Sequence, residues 1–256
     1  MSIKLGQRQS GSGQITTITY SREEKLNSLN SEGIQELHQA FLSLNNDEDL
    51  RAIVLTGAGS KAFFGGADIF EMSEMDPKGA KEFITSLHKL FLAIRSHPVP
   101  VIARINGYTL GAGMELAAAC DLRVSVDTAI FGMPEVRVGL PSVIEAALLP
   151  RLIGWGRSNY LVLTAENISA TKAYEWGFLE KICTENTLEK EINAISDAIA
   201  CSGANAVRSQ KALVGKWEQL SLEDSINAGI DAFEKAYKTD EPNIMMQPFL
   251  NRKKRT

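Results

Sequence analysis

Two glutamates stand in surroundings that ordinarily exclude charge: Glu115 in GAGMELAAACD and Glu135 in FGMPE. A helix with the composition of residues 111–121 has no wide polar stripe, so it is expected to be buried all round. A carboxylate there must be hydrogen-bonded, paired, or neutral with a raised pKa. Taken alone, Glu115 reads better as a glutamate bonded to a nearby amide or arginine than as a catalytic group. Glu135 lies 20 residues further on, in a Pro-bounded loop after apolar strands. Two poorly solvated carboxylates suit acid/base chemistry near neutral pH. Whether they meet is left to the fold.

Backbone donors are the second chemical feature. FFGGADI and GYTLGAGME both place small residues where a chain can approach a ligand closely. The second also opens a helix, whose first N–H groups have no intrahelical acceptor and suit a developing oxyanion. Tight turning or packing would account for either stretch alone; two such turns beside two buried-looking glutamates are harder to set aside.

Other chemistries find less support. TGAGSKA follows a buried run and fits G-x-G-x-x-A, but FFGGAD comes next in place of an amphipathic helix, so a dinucleotide site over Gly57 to Ala62 is not expected. There is no G-x-S-x-G, H-E-x-x-H or P-loop. His38, His88 and His97 are isolated and read as surface or packing residues, so no metal site is expected. Cys120, Cys183 and Cys201 lack metal or redox spacing and read as small buried hydrophobes in a reducing compartment. A net charge of −4 gives no field for nucleic acid. The basic run Arg252, Lys253, Lys254, Arg255 reads as a solvated tail. No stretch approaches the roughly 20 apolar residues of a membrane span, and the N-terminus has neither a secretory nor a presequence pattern. A cytoplasmic globular protein is expected.

The elements that must position these residues follow from pattern. IKLGQRQ and ITTITYS flank a Gly/Ser turn and predict a hairpin. Ser31 is expected to cap a helix with Ile34, Leu37, Phe41, Leu42 and Leu44 on its apolar face. RAIVLTG predicts a strand buried on both faces. Residues 77–96 predict a helix ended by His97-Pro-Val-Pro, VIARING a strand, and LRVSVDTAIFG further strands. Helices are expected near 143–153, 157–164 and 170–176, a short strand near 178–183, and helical structure from about 185 onward. The α/β core is expected over residues 1–195 and a helical segment over 196–256.

Taken together, KLNSLN, RAIVLTGAGSKAFFGGADI, PVPVIARINGYTLGAGMELAAACDLRV, AIFGMPEVRVGLP, LPRLIGWGRS, ISATKAYEWGFLEKI and PFLNRKK resemble, in this order and over nearly the whole chain, the crotonase superfamily of enoyl-CoA hydratases and isomerases. That resemblance implies an α/β superhelix of ββα units with a C-terminal helical trimerisation region, assembled as a trimer or a dimer of trimers. It implies oxyanion-hole roles for the N–H groups of Ala67 and Ala112, and catalytic roles for Glu115 and Glu135. The activity implied is hydration of a trans-2-enoyl-CoA, with Glu115 as base toward water and Glu135 as the proton donor at C2. Lys25, Ala67, Asp68 and Ile69 match positions along the coenzyme A path. Phe249 and Arg252 match positions that reach coenzyme A on a neighbouring subunit, so part of the basic tail would face phosphates. Coenzyme A arrives as part of the substrate, and no separate cofactor, nucleic acid or membrane partner is implied. An isomerase, another acyl-CoA reaction, or an idle acyl-CoA-binding protein stay open, since one scaffold hosts many reactions.

The chain departs from the pattern after Pro141. Ser142, Ile144 and Glu145 stand where many hydratases have glycines, and the approach loop is one residue shorter. Ser142 matches a glycine whose N–H helps hold the water. Glu145 reads as a helix N-terminal charge favoured by the dipole. The walls of the acyl pocket are expected from residues 70–90 and 140–150.

Overall fold

The computed structural model describes residues 2–252. Strands β1 (Ile3–Ser10) and β2 (Gly13–Tyr20) form the expected antiparallel hairpin, with Ile3 opposite Tyr20. Next come β3 (Leu50–Gly57) and β4 (Ala62–Phe64), β5 (Val101–Ile105) and β6 (Tyr108–Leu110), β7 (Leu122–Val126) and β8 (Ile130–Gly132), with β9 (Ile168–Ser169) and β10 (Lys181–Cys183) last. In each of the three pairs the first strand joins a six-stranded sheet, ordered β1-β2-β3-β5-β7-β10, and the second joins a four-stranded sheet, ordered β4-β6-β8-β9. This alternation is the repeating ββα unit. β3 pairs in parallel with β2 on one side and β5 on the other, which is why its sequence is continuously apolar rather than alternating.

Helix α1 (Ser31–Leu44) is capped by Asn30, whose side chain accepts from the Gly33 N–H, and not by Ser31. Ser31 is the first helical residue; its N–H and hydroxyl donate to Glu71 and tie α1 to α2 (Ile69–Ser73). Ile34, Leu37, Phe41 and Leu44 are buried, whereas Leu42 is exposed, because it falls off the i, i+3, i+7 stripe. Helix α3 (Pro77–Arg95) starts from the Asp76 cap with Pro at its first turn. It stops just before His97-Pro98, where the pre-proline residue disfavours helix.

Helix α4 (Ala112–Ala119) is buried at every position, as its composition predicted. The single helix expected over 143–153 is instead a 3-10 turn (Ile144–Leu148) followed by α5 (Leu149–Ile153). Ile144 has φ +42°, outside the helical region, so no α-helix can begin there. Helices α6 (Trp155–Thr164), α7 (Ala170–Glu175) and α8 (Glu185–Ala200) follow, and α8 packs on the larger sheet. Residue 195 lies inside α8; the outlying helices are α9 (Ala204–Trp217), α10 (Leu222–Ala236) and α11 (Glu241–Arg252). Lys211 fastens α9 to the core through the Ile94 and Val99 carbonyls and the Asp121 carboxylate, at 3.2, 3.0 and 2.7 Å. The Glu241 carboxylate accepts from the Asn205 and Ala206 N–H groups, which seats α11 on the start of α9. On α10, Ile226, Ile230, Phe233 and Tyr237 form an exposed apolar face. All three cysteines are free; Cys120 is buried and Cys183 half-buried, but Cys201 is exposed at the end of α8 rather than buried. Among the described residues no helix is long and apolar enough to cross a membrane.

Candidate active site

Two glycines decide how α4 is placed. Gly111, its N-cap, has φ +52°, and a Cβ there would come 2.5 Å from Glu135 Oε1. Glycine is therefore required both by the backbone angle and by the carboxylate lying against it. At Gly113, a Cβ would come 2.0 Å from the Phe64 carbonyl oxygen, so β4 runs directly against the first turn of α4. From there the chain continues through Gly65 and Gly66 to Ala67. Leu29 donates to the Gly66 carbonyl and Asp68 donates to the Leu29 carbonyl, both at 2.8 Å. The Ala67 N–H lies between these two bonds and takes no part in them. Ala112 occupies the first helical position, where an N–H has no intrahelical acceptor.

Ala67, Ala112, Glu115 and Glu135 all line one cavity of about 650 Å³. One wall comes from α2, α3 and the turn between them (Met72, Met75, Phe83, Ile84, Leu87) and another from the segment beyond Glu135 (Val138, Leu140, Val143). Its walls are largely apolar with a few convergent polar groups, the usual character of a small-molecule site. These walls fall within the 70–90 and 140–150 segments expected from the sequence, except for Val138.

Glu115 is only 3% exposed. Its Oε1 accepts from the Ala146 N–H at 3.2 Å. Burial, and after it the charge of Glu135, pushes its carboxyl up to about 9; Glu145 adds in the same direction, and the Ala146 and Val143 N–H groups pull back. The side chain is thus a neutral acid at pH 7, held in place by peptide donors. Glu135 opens a 3-10 turn (Glu135–Val138) and is half-buried. Its Oε2 accepts from the Ser142 hydroxyl at 2.8 Å, and its Oε1 lies over Gly111. The two carboxylates that the sequence singled out line the same cavity, Glu115 on α4 and Glu135 against the N-cap of that helix.

Glu145 is not a solvated charge at a helix start. It is 3% exposed, and its two oxygens lie 3.0 and 3.3 Å from Nδ1 of His88 on α3. His88 is accordingly paired rather than isolated. The 57-residue separation leaves no local pattern that could have announced this contact. The Ser142 hydroxyl bond to Glu135 is local, seven residues apart, and was missed because the family pattern reduces Ser142 to a backbone donor.

Of the remaining candidates, Ile69 lines the cavity beside Ala67. The Asp68 carboxylate turns inward, bonding Arg22 at 3.0 Å and the first N–H groups of α2. Lys25 lies with its ammonium 4.4 Å from the centre of the Phe70 ring. Phe249 sits on α11 and is not part of the cavity wall of its own chain. Arg252 ends α11; its side chain, and Lys253, Lys254 and Arg255, lie outside the described residues. TGAGSKA runs from β3 into β4 with no helix after it, so the phosphate-binding geometry of a dinucleotide turn is not formed.

The chain resembles known proteins over nearly its whole length. The Enoyl-CoA hydratase/isomerase family matches residues 10–256. The chain is 32% identical over 243 residues to a short-chain-enoyl-CoA hydratase of Clostridium acetobutylicum, covering 94% of this chain and 93% of that one. It is 33% identical over 242 residues to a crotonyl-CoA hydratase of Syntrophomonas wolfei, with coverage of 94% and 93%. Among solved structures, an enoyl-CoA hydratase from Bacillus anthracis superposes with a TM-score of 0.94 at 31% identity, covering 98% of this chain and 97% of that one.

Proposed function

Because the chain belongs to the enoyl-CoA hydratase/isomerase family and is an enoyl-CoA hydratase, a lyase of fatty-acid metabolism, we propose that Glu115 and Glu135 carry its two proton transfers. The substrate is a trans-2-enoyl-CoA, and the product a 3-hydroxyacyl-CoA. The names of the relatives favour short acyl chains. The observation that carries the assignment is the convergence of both glutamates with the Ala67 and Ala112 N–H groups on one apolar cavity. The thioester oxygen would accept from these two donors, so that charge developing on it as C3 is attacked is neutralised without reorganisation.

Burial, and after it the charge of Glu135, raises the Glu115 carboxyl to about 9, which favours its protonated form in the free enzyme. That is the state required for dehydration, in which Glu115 gives its proton to the leaving hydroxyl and Glu135 removes the C2 proton. Hydration starts from the tautomer with the same total charge, the proton having moved to Glu135. A base with high proton affinity then takes the proton of the attacking water. Glu115 and Glu135 thus exchange the roles of acid and base between the two directions.

The scheme needs no cofactor, because side chains move both protons and coenzyme A enters with the substrate. Ile69 and Ala67 begin the coenzyme A path, with Lys25 near its mouth. The apolar face of α10 supports self-association into trimers or dimers of trimers, which would bring Phe249 and Arg252 of one subunit toward the substrate of another. The cytoplasm is the compartment we assign, on the three unpaired thiols.

Purified protein mixed with crotonyl-CoA should lose enoyl absorbance and place solvent oxygen at C3. Glu115→Gln and Glu135→Gln should each abolish this while leaving acyl-CoA binding in place. An isomerised product without solvent oxygen would overturn the hydratase assignment.

A further inference from the structure

The turn that holds Glu115 is under strain. Ile144, at φ +42°, is the one β-branched residue in the left-handed region among the described residues. Branching at Cβ makes that region a true outlier, and such a conformation persists only where its surroundings over-determine it. The two residues that follow show what this turn is for and what fixes it. Ala146 gives its N–H to Glu115, and Glu145 is driven inward to His88. His88 stands on a rigid post, since Leu87, Leu90 and Phe91 around it on α3 are all in the core.

We infer that the contact between His88 and Glu145 is a latch that holds the strained turn against α4 and so fixes the position of Glu115. Both are positioning residues. Neither lines the cavity, so Glu145 does not serve as a third proton carrier. Among the described residues, His88 is the one hydrogen-bonding partner of the Glu145 carboxylate, which makes the latch a single removable contact. The chemistry also accounts for the departure at residues 142–145. Glycine at 144 would let the turn adopt this angle freely; with isoleucine there, an external tie is needed.

This inference rests on Glu115 acting on the water. The test compares Glu145→Ala, Glu145→Gln, Ile144→Gly and the Glu145→Ala/Ile144→Gly pair in full-length protein, reading kcat on crotonyl-CoA and Kd for butyryl-CoA. Glu145→Ala should lower kcat by about tenfold or more, the scale of a lost hydrogen bond to a charged group, with Kd changed less than about twofold. Glu145→Gln keeps an acceptor for Nδ1 and should stay within about threefold of the parent. In the Ile144→Gly background the alanine loss should shrink to about twofold, because residues that act on one element couple. His88→Ala, altered from its half-exposed side, should repeat the alanine pattern if Glu145→Ala does not fold. The latch is refuted by an unchanged kcat, by a loss equal in both backgrounds, or by Kd worsening in step with kcat. Glu115→Gln assayed alongside separates the two readings: retained turnover there overturns the role of Glu115, whereas its loss with a flat Glu145 series overturns the latch alone.

Discussion

Replacing Glu115 by glutamine should make the protein more stable even as it removes activity, and the gain should grow with pH. The glutamate carboxyl moves from an ordinary value of 4.5 to about 9 on folding, mainly through burial and then through Glu135. Between those values the folded chain binds a proton that the unfolded chain has released. Stability from this group is therefore lost as pH rises, with a slope of about 1.4 kcal/mol per pH unit for one proton. From pH 4.5 to pH 7 the accumulated loss is on the order of 3 kcal/mol. Glutamine has the same shape, can still accept from the Ala146 N–H, and takes up no proton. Urea unfolding of both proteins at pH 5, 6, 7 and 8, at fixed protein concentration, reads the difference directly. The two curves should diverge across the whole range, because all four pH values lie between 4.5 and about 9. Parallel curves would mean that Glu115 is ionised in the folded protein, and its role as the proton donor in dehydration would fall with it.

Ser142→Ala removes the hydroxyl that holds Glu135 Oε2. The loss of a hydrogen bond to a charged group should lower kcat by about 10- to 100-fold; hydrogen–deuterium exchange at C2 should slow with it, and Ser142→Thr should recover both. Ala112→Pro deletes one backbone donor at the helix position where proline is tolerated; kcat should fall by about 10²–10³ with the circular-dichroism spectrum unchanged. Phe233→Glu on the exposed face of α10 should shift the sedimentation profile toward smaller species.

The carboxylate pair was legible in the sequence because the context of each glutamate is local. A helix of alanine, glycine and methionine around Glu115 has nowhere polar to put it, and Pro134 marks the turn that carries Glu135. The continuous apolar run of β3 and the hairpin were legible for the same reason. Ser31 misled because the cap one residue earlier, Asn30, is an equally good capping type, and the choice depends on Glu71 from a later helix. The 143–153 segment has helical composition, but its backbone is set by α3 and α4 pressing on it, a tertiary constraint with no periodic trace. The His88–Glu145 contact is hidden in the same way: it joins two helical neighbourhoods that become adjacent only when the ββα units stack.

The anchoring of α9 has a bearing on how such a protein can be altered. Lys211 rivets that helix to the core at three oxygens, while α10 packs on α9 and α11 is joined to its start by Glu241. The exposed apolar face of α10 and the whole of α11 therefore hang from one strut. The cavity walls are built from strands and helices that precede it in the chain. Grafting a foreign α10–α11 onto this strut should leave the carboxylate pair where it is, so the helices proposed to carry the subunit contacts can be exchanged without rebuilding the proton-transfer site.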